Sequence, residues 1–182
     1  MNLAFDPATE RARFAARLEF LTRQAALRLD LAEGITFQPE TLESVEDQIV
    51  ETLWAEGISP ESAPLEDLAE ARSAFAALTP RREPGGQSIV ATLFLGFPDE
   101  VRHARLAALQ GFPDDLRLEL NDGTVAVPAV DRGTAGPEDR LPSVLALRYL
   151  IPDGLSIAAL VSNHPEVQGR WPAPAAWDSW PS

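Results

Sequence analysis

The chain has 182 residues, of which 45% are hydrophobic and 24% are charged, and its formal net charge is −13. This composition is typical of a globular protein, and the length suits a single domain. The chain has no cysteine and all 15 basic residues are arginine, which excludes thiolate, iron–sulfur and lysine-based chemistry, while the negative charge disfavours a nucleic-acid partner.

The first part of the chain is predicted to be helical. Apolar residues recur at helical spacing over residues 6–30, which indicates a first helix. The pattern breaks at 34–39, and a second helix is predicted from Thr41 to Gly57. A third helix is predicted to end at Pro80, because proline cannot continue a helix.

Strands are predicted in the second part of the chain. Residues 88–95 are β-rich and apolar on both faces, as in a central strand. A short helix is predicted at 98–110, and further strands at 143–151 and 155–162. Helices followed by hairpin-linked strands indicate an α+β fold, with N-terminal helices packed on one face of a mostly antiparallel sheet.

One hairpin is predicted from its turn residues. Asp122–Gly123 is a dipeptide typical of two-residue turns, and it lies between two runs of alternating apolar residues. Such a turn would place Leu120 opposite Val125 and Leu118 opposite Val127. All four side chains would then lie on one face of the sheet.

The domain organisation follows from these elements. We predict a single α+β domain over residues 1–170, with helices within 6–78 and the sheet within 87–162. Residues 171–182 form a tail rich in tryptophan and proline, which holds three of the four tryptophans. These tryptophans either attach the tail to the domain, which we prefer, or form an exposed aromatic patch for a partner.

Basic and acidic residues are segregated along the chain. Five arginines fall in the first predicted helix, whereas 12 acidic residues and no basic residue lie between Arg28 and Arg72. On the second helix Glu43, Asp47 and Glu51 are spaced four residues apart and share one face. The simpler interpretation is that the two helices pack near each other with solvated charges; the alternative is a surface for a cationic partner or a metal ion.

Arg148 interrupts an apolar strand. A guanidinium in such a place must reach solvent, pair with a buried carboxylate or point at an anionic ligand. We expect a structural pairing with Glu51 or Glu56 of the second helix. His164 lies just past the last predicted strand, in a loop, where functional residues are common but capping or surface histidines are more so.

A scattered set of residues recurs in a familiar order. Over about residues 35–170 this order resembles an uncharacterised bacterial family, a domain of unknown function often encoded beside rubrerythrin-like and iron–sulfur oxidoreductase genes. The matching residues are Phe37, Thr41, Gln48, Ile49, Glu51, Leu53, Glu56, Ala91-Thr92-Leu93, Pro98-Asp99, Arg102, Leu109-Gln110-Gly111, Ser143, Leu147-Arg148-Tyr149 and His164-Pro165.

The chain also departs from the pattern of this family. Gln38, Trp54 and Leu145 stand where the family usually has an acid, an arginine and a histidine. The resemblance implies that a polar cluster persists, with a structural or ligand-binding role. Its residues are Gln48, Glu51, Glu56, Arg148 and His164. The resemblance further implies a redox or oxidative-stress setting, but no particular reaction.

Together these observations predict a non-catalytic, cytoplasmic accessory or binding protein. The start of the chain lacks the features of a signal peptide, and no run of about 20 apolar residues could span a membrane. We expect an unidentified protein or small-molecule partner, no nucleic acid and no membrane partner, and no cofactor. The sequence assigns no metal ligand and no catalytic residue.

Two alternatives remain open at this point. One is a metal-assisted or carboxylate-driven enzyme that uses Glu51, Glu56 and His164. The other is an assembly module that uses the tryptophan-rich tail.

Overall fold

The computed structural model describes the backbone of residues 7–131 and 141–180. The predicted beginning of the first helix and the last two residues of the tail lie outside these ranges. The helices are α1 (Pro7–Leu27), α2 (Leu42–Ala55), α3 (Leu65–Ala74), α4 (Asp99–Ala108) and α5 (Phe112–Asp115), with 3₁₀ turns at Pro60–Ser62, Ala76–Leu78 and Ala175–Ser179.

The helix boundaries have local causes. Thr41 caps α2: its hydroxyl accepts the Ser44 N–H at 3.0 Å, while the Ser44 hydroxyl accepts the Thr41 N–H at 2.8 Å. This reciprocal pair satisfies two backbone donors that a helix start otherwise leaves without partners. At the other end Gly57 adopts a left-handed φ of 77°. The predicted limits of this helix are confirmed.

The strands form two antiparallel sheets. The strands are β1 (Leu29–Ala32), β2 (Ile35–Pro39), β3 (Arg81–Glu83), β4 (Gly86–Leu95), β5 (Arg117–Leu120), β6 (Val125–Ala126), β7 (Ala129–Asp131), β8 (Val144–Pro152), β9 (Ile157–His164) and β10 (Val167–Pro172). The first sheet has the order β1-β2-β4-β8-β7, with β3 also paired to β4, and the second has the order β10-β9-β5-β6. The α+β class is confirmed.

The strands extend beyond the predicted limits of 87–162. The segment 29–39, interpreted from sequence as a break between helices, forms the β1–β2 hairpin. Buried Ile35, Phe37 and Pro39 alternate with half-buried residues, which is the period of a strand. Gly34 makes the turn with a φ of 73°, and a Cβ there would lie 2.8 Å from the Gly96 carbonyl oxygen. Gly34 and Pro39 were interpreted as residues that end a helix, and the alternation of buried and half-buried residues between them was not recognised.

The main core contains side chains from both sheets. Leu93 and Tyr149 of the first sheet and Leu118 and Leu160 of the second are all at most 1% exposed. The Tyr149 hydroxyl donates to the Leu116 carbonyl at 2.8 Å, and burial raises the pKa of this hydroxyl well above its ordinary value. The tyrosine is therefore a satisfied core residue.

The helices α2 and α3 cover the other face of the first sheet. Their own apolar cluster is built on Val45, Ile49, Leu53 and Ala71. Thr92 of β4, whose neighbours in the strand face the main core, is 5% exposed because this helical layer covers it. The N-terminal helices thus lie on one face of an antiparallel sheet, as predicted.

The register of the β5–β6 hairpin differs from the prediction. Leu118 pairs with Ala126 and Glu119 with Val125, so Val125 points outward and is 50% exposed. The loop has three residues. The Asp122 carboxylate accepts a hydrogen bond from the Thr124 N–H at 2.9 Å and another from the Thr124 hydroxyl at 2.7 Å. These local bonds favour the longer turn over the two-residue turn.

The tail is attached to the domain by two tryptophans. Trp177 is 3% exposed and donates its indole N–H to the Leu27 carbonyl at 2.8 Å. Trp180 is 4% exposed and donates to the Glu40 carbonyl at 2.9 Å. Both rings contact Phe37, with centroids 5.7 and 6.4 Å away. These side chains are part of the core, which agrees with the preferred interpretation.

None of the helices in the described ranges is both long and apolar enough to cross a membrane.

The buried tail predicts an asymmetry between two tryptophan substitutions. Trp177→Ala should lower the free energy of unfolding by about 3–5 kcal/mol, because it leaves a cavity in the core. Trp54→Ala, at a residue that is 50% exposed, is the matched control and should have a much smaller effect. Urea unfolding of both variants measures this. Equal stabilities would show that the tail does not belong to the core.

Candidate functional site

Glu40 is a buried glutamate, and both of its carboxylate oxygens accept hydrogen bonds. It is 4% exposed. The Thr92 hydroxyl donates to one carboxylate oxygen at 2.5 Å, and Ser44 and Gln48 donate to the other at 2.7 and 3.1 Å. No cation in the described part of the chain forms an ion pair with it. Hydrogen bonds alone compensate its removal from water.

The backbone of Glu40 extends this network. Its N–H donates to the Val90 carbonyl at 2.9 Å, and its own carbonyl accepts the indole of Trp180. Glu40 therefore joins the first sheet, α2 and the tail. Glu40 was not among the residues predicted from the sequence. The local signal for it was Thr92, a polar residue within the apolar run 89–95 of the central strand.

The predicted acidic row on α2 faces the arginines of α1. Arg17 forms ion pairs with both Asp47 and Glu51, and Arg23 pairs with Glu43. The packing of the basic helix near the acidic one is confirmed. No group of three metal-ligating side chains occurs in the ranges that the structure describes.

Asp47 is the carboxylate of this row with a shifted pKa. Burial raises its pKa above the ordinary value, and the charges of Glu51 and Glu43 raise it further, whereas Arg17 acts in the opposite direction. The balance indicates that one guanidinium shared between two acids only partly offsets desolvation.

The remaining predicted residues of α2 take different roles. Gln48 belongs to the Glu40 network. Glu56 is exposed, and its backbone N–H caps the end of α2 by donating to the Thr52 carbonyl at 3.1 Å. Of the five residues predicted as one cluster, Glu51 and Gln48 thus lie in separate networks of the same helix.

The expected pairing of Arg148 with Glu51 or Glu56 is wrong. The Arg148 guanidinium donates to the Ser88 hydroxyl at 2.7 Å and to the Ala77 carbonyl at 2.5 Å. Burial lowers its pKa, and the nearby charge of Arg81 lowers it further, whereas the charge of Glu83 acts in the opposite direction. Glu51 is bound to Arg17 instead, because the acidic row of α2 faces α1.

Arg148 lines an open hollow of about 550 Å³ on the first sheet. Arg81 and Asp131 also line it, and the other lining residues are small and apolar. We call this the arginine hollow.

His164 lies at the end of β9 and connects the second sheet to the helices α4 and α5. Its Nε2 is 3.1 Å from the Gln110 carbonyl oxygen, and its Nδ1 accepts the Glu166 N–H at 3.3 Å. The ring stands edge-on to Phe112, with centroids 5.7 Å apart. The structure does not bring His164 together with Glu51.

A second hollow, of about 310 Å³, lies where the tail crosses β4, β8 and β9. Its buried floor includes Trp177, Trp180 and Ile89. We call it the tryptophan hollow. The polar residues on its border are Arg82, Gln87, Asp153, Ser156 and Asp178, of which Arg82 and Asp153 form an ion pair. The residues of this hollow come from distant segments of the chain, so no local sequence pattern indicates it.

Residues 7–171 match the model of a family described as "Protein of unknown function (DUF3501)". The chain belongs to this family. The fold is similar to that in "Crystal structure of novel protein of unknown function" from Burkholderia pseudomallei K96243, with a TM-score of 0.73 and 19% identity over 94% of this chain and 91% of that one. No curated protein matches.

The resemblance to a domain-of-unknown-function family is thereby confirmed, while the gene neighbourhood stays a prediction. The three departures from the family pattern have ordinary structural positions. Gln38 donates to the Gln24 carbonyl of α1 at 3.2 Å, Trp54 is half exposed on α2, and Leu145 is in the core.

Proposed function

We propose that the protein is a cytoplasmic, non-catalytic accessory protein that binds a small molecule in the tryptophan hollow. The observation that carries the proposal is the hollow itself. Its volume of about 310 Å³ is at the lower end of the range for ligand pockets, and an apolar floor with a few polar groups is typical of such sites.

The rigidity of the floor supports the proposal. Both indole N–H groups are occupied by the Leu27 and Glu40 carbonyls, so the rings are held in place, and the small exposed part of each ring borders the hollow. A site that is formed before binding loses little conformational freedom when it is occupied. The border adds the Arg82–Asp153 ion pair and the Asp178 carboxylate. The ligand class is a compact molecule with a flat apolar part and one or two polar groups.

The positions of the candidate catalytic residues support the non-catalytic part. Glu51 is bound to Arg17, and both ring nitrogens of His164 contact backbone groups. An enzyme that uses Glu51, Glu56 and His164 together has no observation in its favour. The assembly alternative is weakened because Trp177 and Trp180 are buried.

The ligand proposal predicts saturable binding that a filled hollow abolishes. The experiment is an NMR screen of aromatic fragments, read from the indole N–H signals of Trp177 and Trp180. Ser156 is an exposed lining residue, and its hydrogen bonds with Asn121 are made by its backbone. Ser156→Trp should therefore fill the hollow and abolish binding. Ser73→Trp, on the exposed face of α3, is the matched control and should bind as the wild type does.

Recovery of every bound fragment unchanged is the result expected of a non-catalytic protein. Chemical conversion of a fragment would contradict the proposal that the protein is non-catalytic. Binding that persists in Ser156→Trp would contradict the assignment of the binding site to the tryptophan hollow.

We further propose a redox or oxidative-stress setting, with the family resemblance as its support. Loss of the protein should then reduce survival of the cells in hydrogen peroxide, and the full-length gene should restore it. Identical survival with and without the protein would remove the redox setting and leave the ligand proposal intact.

A further inference from the structure

We infer that the arginine hollow is a second binding site, for a small organic oxyanion: a carboxylate or phosphate group carried on a short apolar body. The inference goes beyond the proposed function and does not depend on the tryptophan hollow. It rests on the strand register, the hydrogen bonds of Arg148 and the chemistry of the lining residues.

The strand register places two arginines on one face of the first sheet. Arg81 of β3 is the direct partner of Ser88 in β4, and Arg148 of β8 is the direct partner of Val90. Ser88 and Val90 are two residues apart and share a face, so all four side chains do. The hydrogen bond from Arg148 to Ser88 agrees with this arrangement.

Arg148 retains donors for a ligand. A guanidinium carries five N–H groups, and Ser88 and Ala77 accept two of them. Both acceptors are uncharged. Nine other arginines in the described ranges have a carboxylate within ion-pair distance, whereas Arg148 has none there. In the described ranges no carboxylate contacts its guanidinium, and the charge of Glu83 acts on it from a greater distance.

The acids near the hollow determine how an anion would be recognised. Glu83 pairs with Arg81 at 2.9 Å, and Asp131 lines the hollow. These two acids reduce the positive charge near the hollow, so the arginines attract an anion only weakly over long distances. Recognition must come from short, directed hydrogen bonds, and the planar fork of Arg148 matches two oxygens of a carboxylate or phosphate group.

The remaining lining residues indicate the body of the ligand. They include Ala76, Ala129, Val130 and Ala146, which are small and apolar. A hollow of about 550 Å³ has room for more than an inorganic ion. We therefore assign a short hydrocarbon part to the ligand, next to the alanines, with its oxyanion on Arg148.

The test is a titration with butyrate, n-butyl phosphate and inorganic phosphate at constant ionic strength. Backbone amide shifts of Ser88, Val130 and Ala146 report binding. At least one organic probe should bind saturably with a Kd on the order of 1 mM, and inorganic phosphate more weakly. Which organic probe binds better identifies the head group.

Substitutions distinguish the contribution of the paired guanidinium hydrogen bonds to binding from that of the positive charge. Arg148→Lys keeps the charge and should weaken binding about tenfold, because an ammonium cannot make the paired hydrogen bonds. Arg81→Gln, at an exposed side chain, should weaken it less. Arg170→Gln removes the same charge from β10 of the second sheet, where Arg170 pairs with Glu119 away from both hollows, and is the control without effect.

Three results would overturn the inference. They are the absence of saturable shifts for both organic probes, unchanged binding in Arg148→Lys, and equal binding of inorganic phosphate and n-butyl phosphate. The last would mean an adventitious ion only.

Discussion

The buried carboxylate of Glu40 is the interaction on which the rest of the structure depends. A carboxylate removed from water must have its hydrogen bonds supplied by the protein. Its donors come from Thr92 in β4 and from Ser44 and Gln48 of α2. Because the carbonyl of the same residue accepts the indole of Trp180, the helical layer, the first sheet and the tail are fixed relative to one another.

Each hollow is bordered by a contact between layers of the fold. The tail, held by Trp177 and Trp180, forms the buried floor of the tryptophan hollow. The turn after α3 contributes Ala77, which fixes Arg148 at the arginine hollow. Polar side chains such as Gln48 hold these layers together, while binding is proposed where the layers leave space between them.

Local sequence patterns were sufficient to predict most helices and strands, but not which residues of different elements contact one another. The cap at Thr41 and the apolar run of β4 are local signals, and both elements were predicted. The hairpin over 29–39 was missed because its alternation is short and interrupted by glycine and proline. The predicted pairing of Arg148 with Glu51 was wrong because Glu51 binds Arg17, which is distant from it in sequence. Which residues pair with each other depends on the tertiary structure, and the sequence pattern of a single strand or helix does not predict it.

The most direct test of this account is a double-mutant cycle on Glu40 and Thr92, measured by urea unfolding. Glu40→Gln and Thr92→Val should each lower the free energy of unfolding by about 1–3 kcal/mol. The double variant should lose less than the sum, by about 1 kcal/mol, because the two side chains share a hydrogen bond. Glu46→Gln, exposed on α2, is the control. Additive losses, or a Glu40→Gln variant as stable as the wild type, would contradict the account.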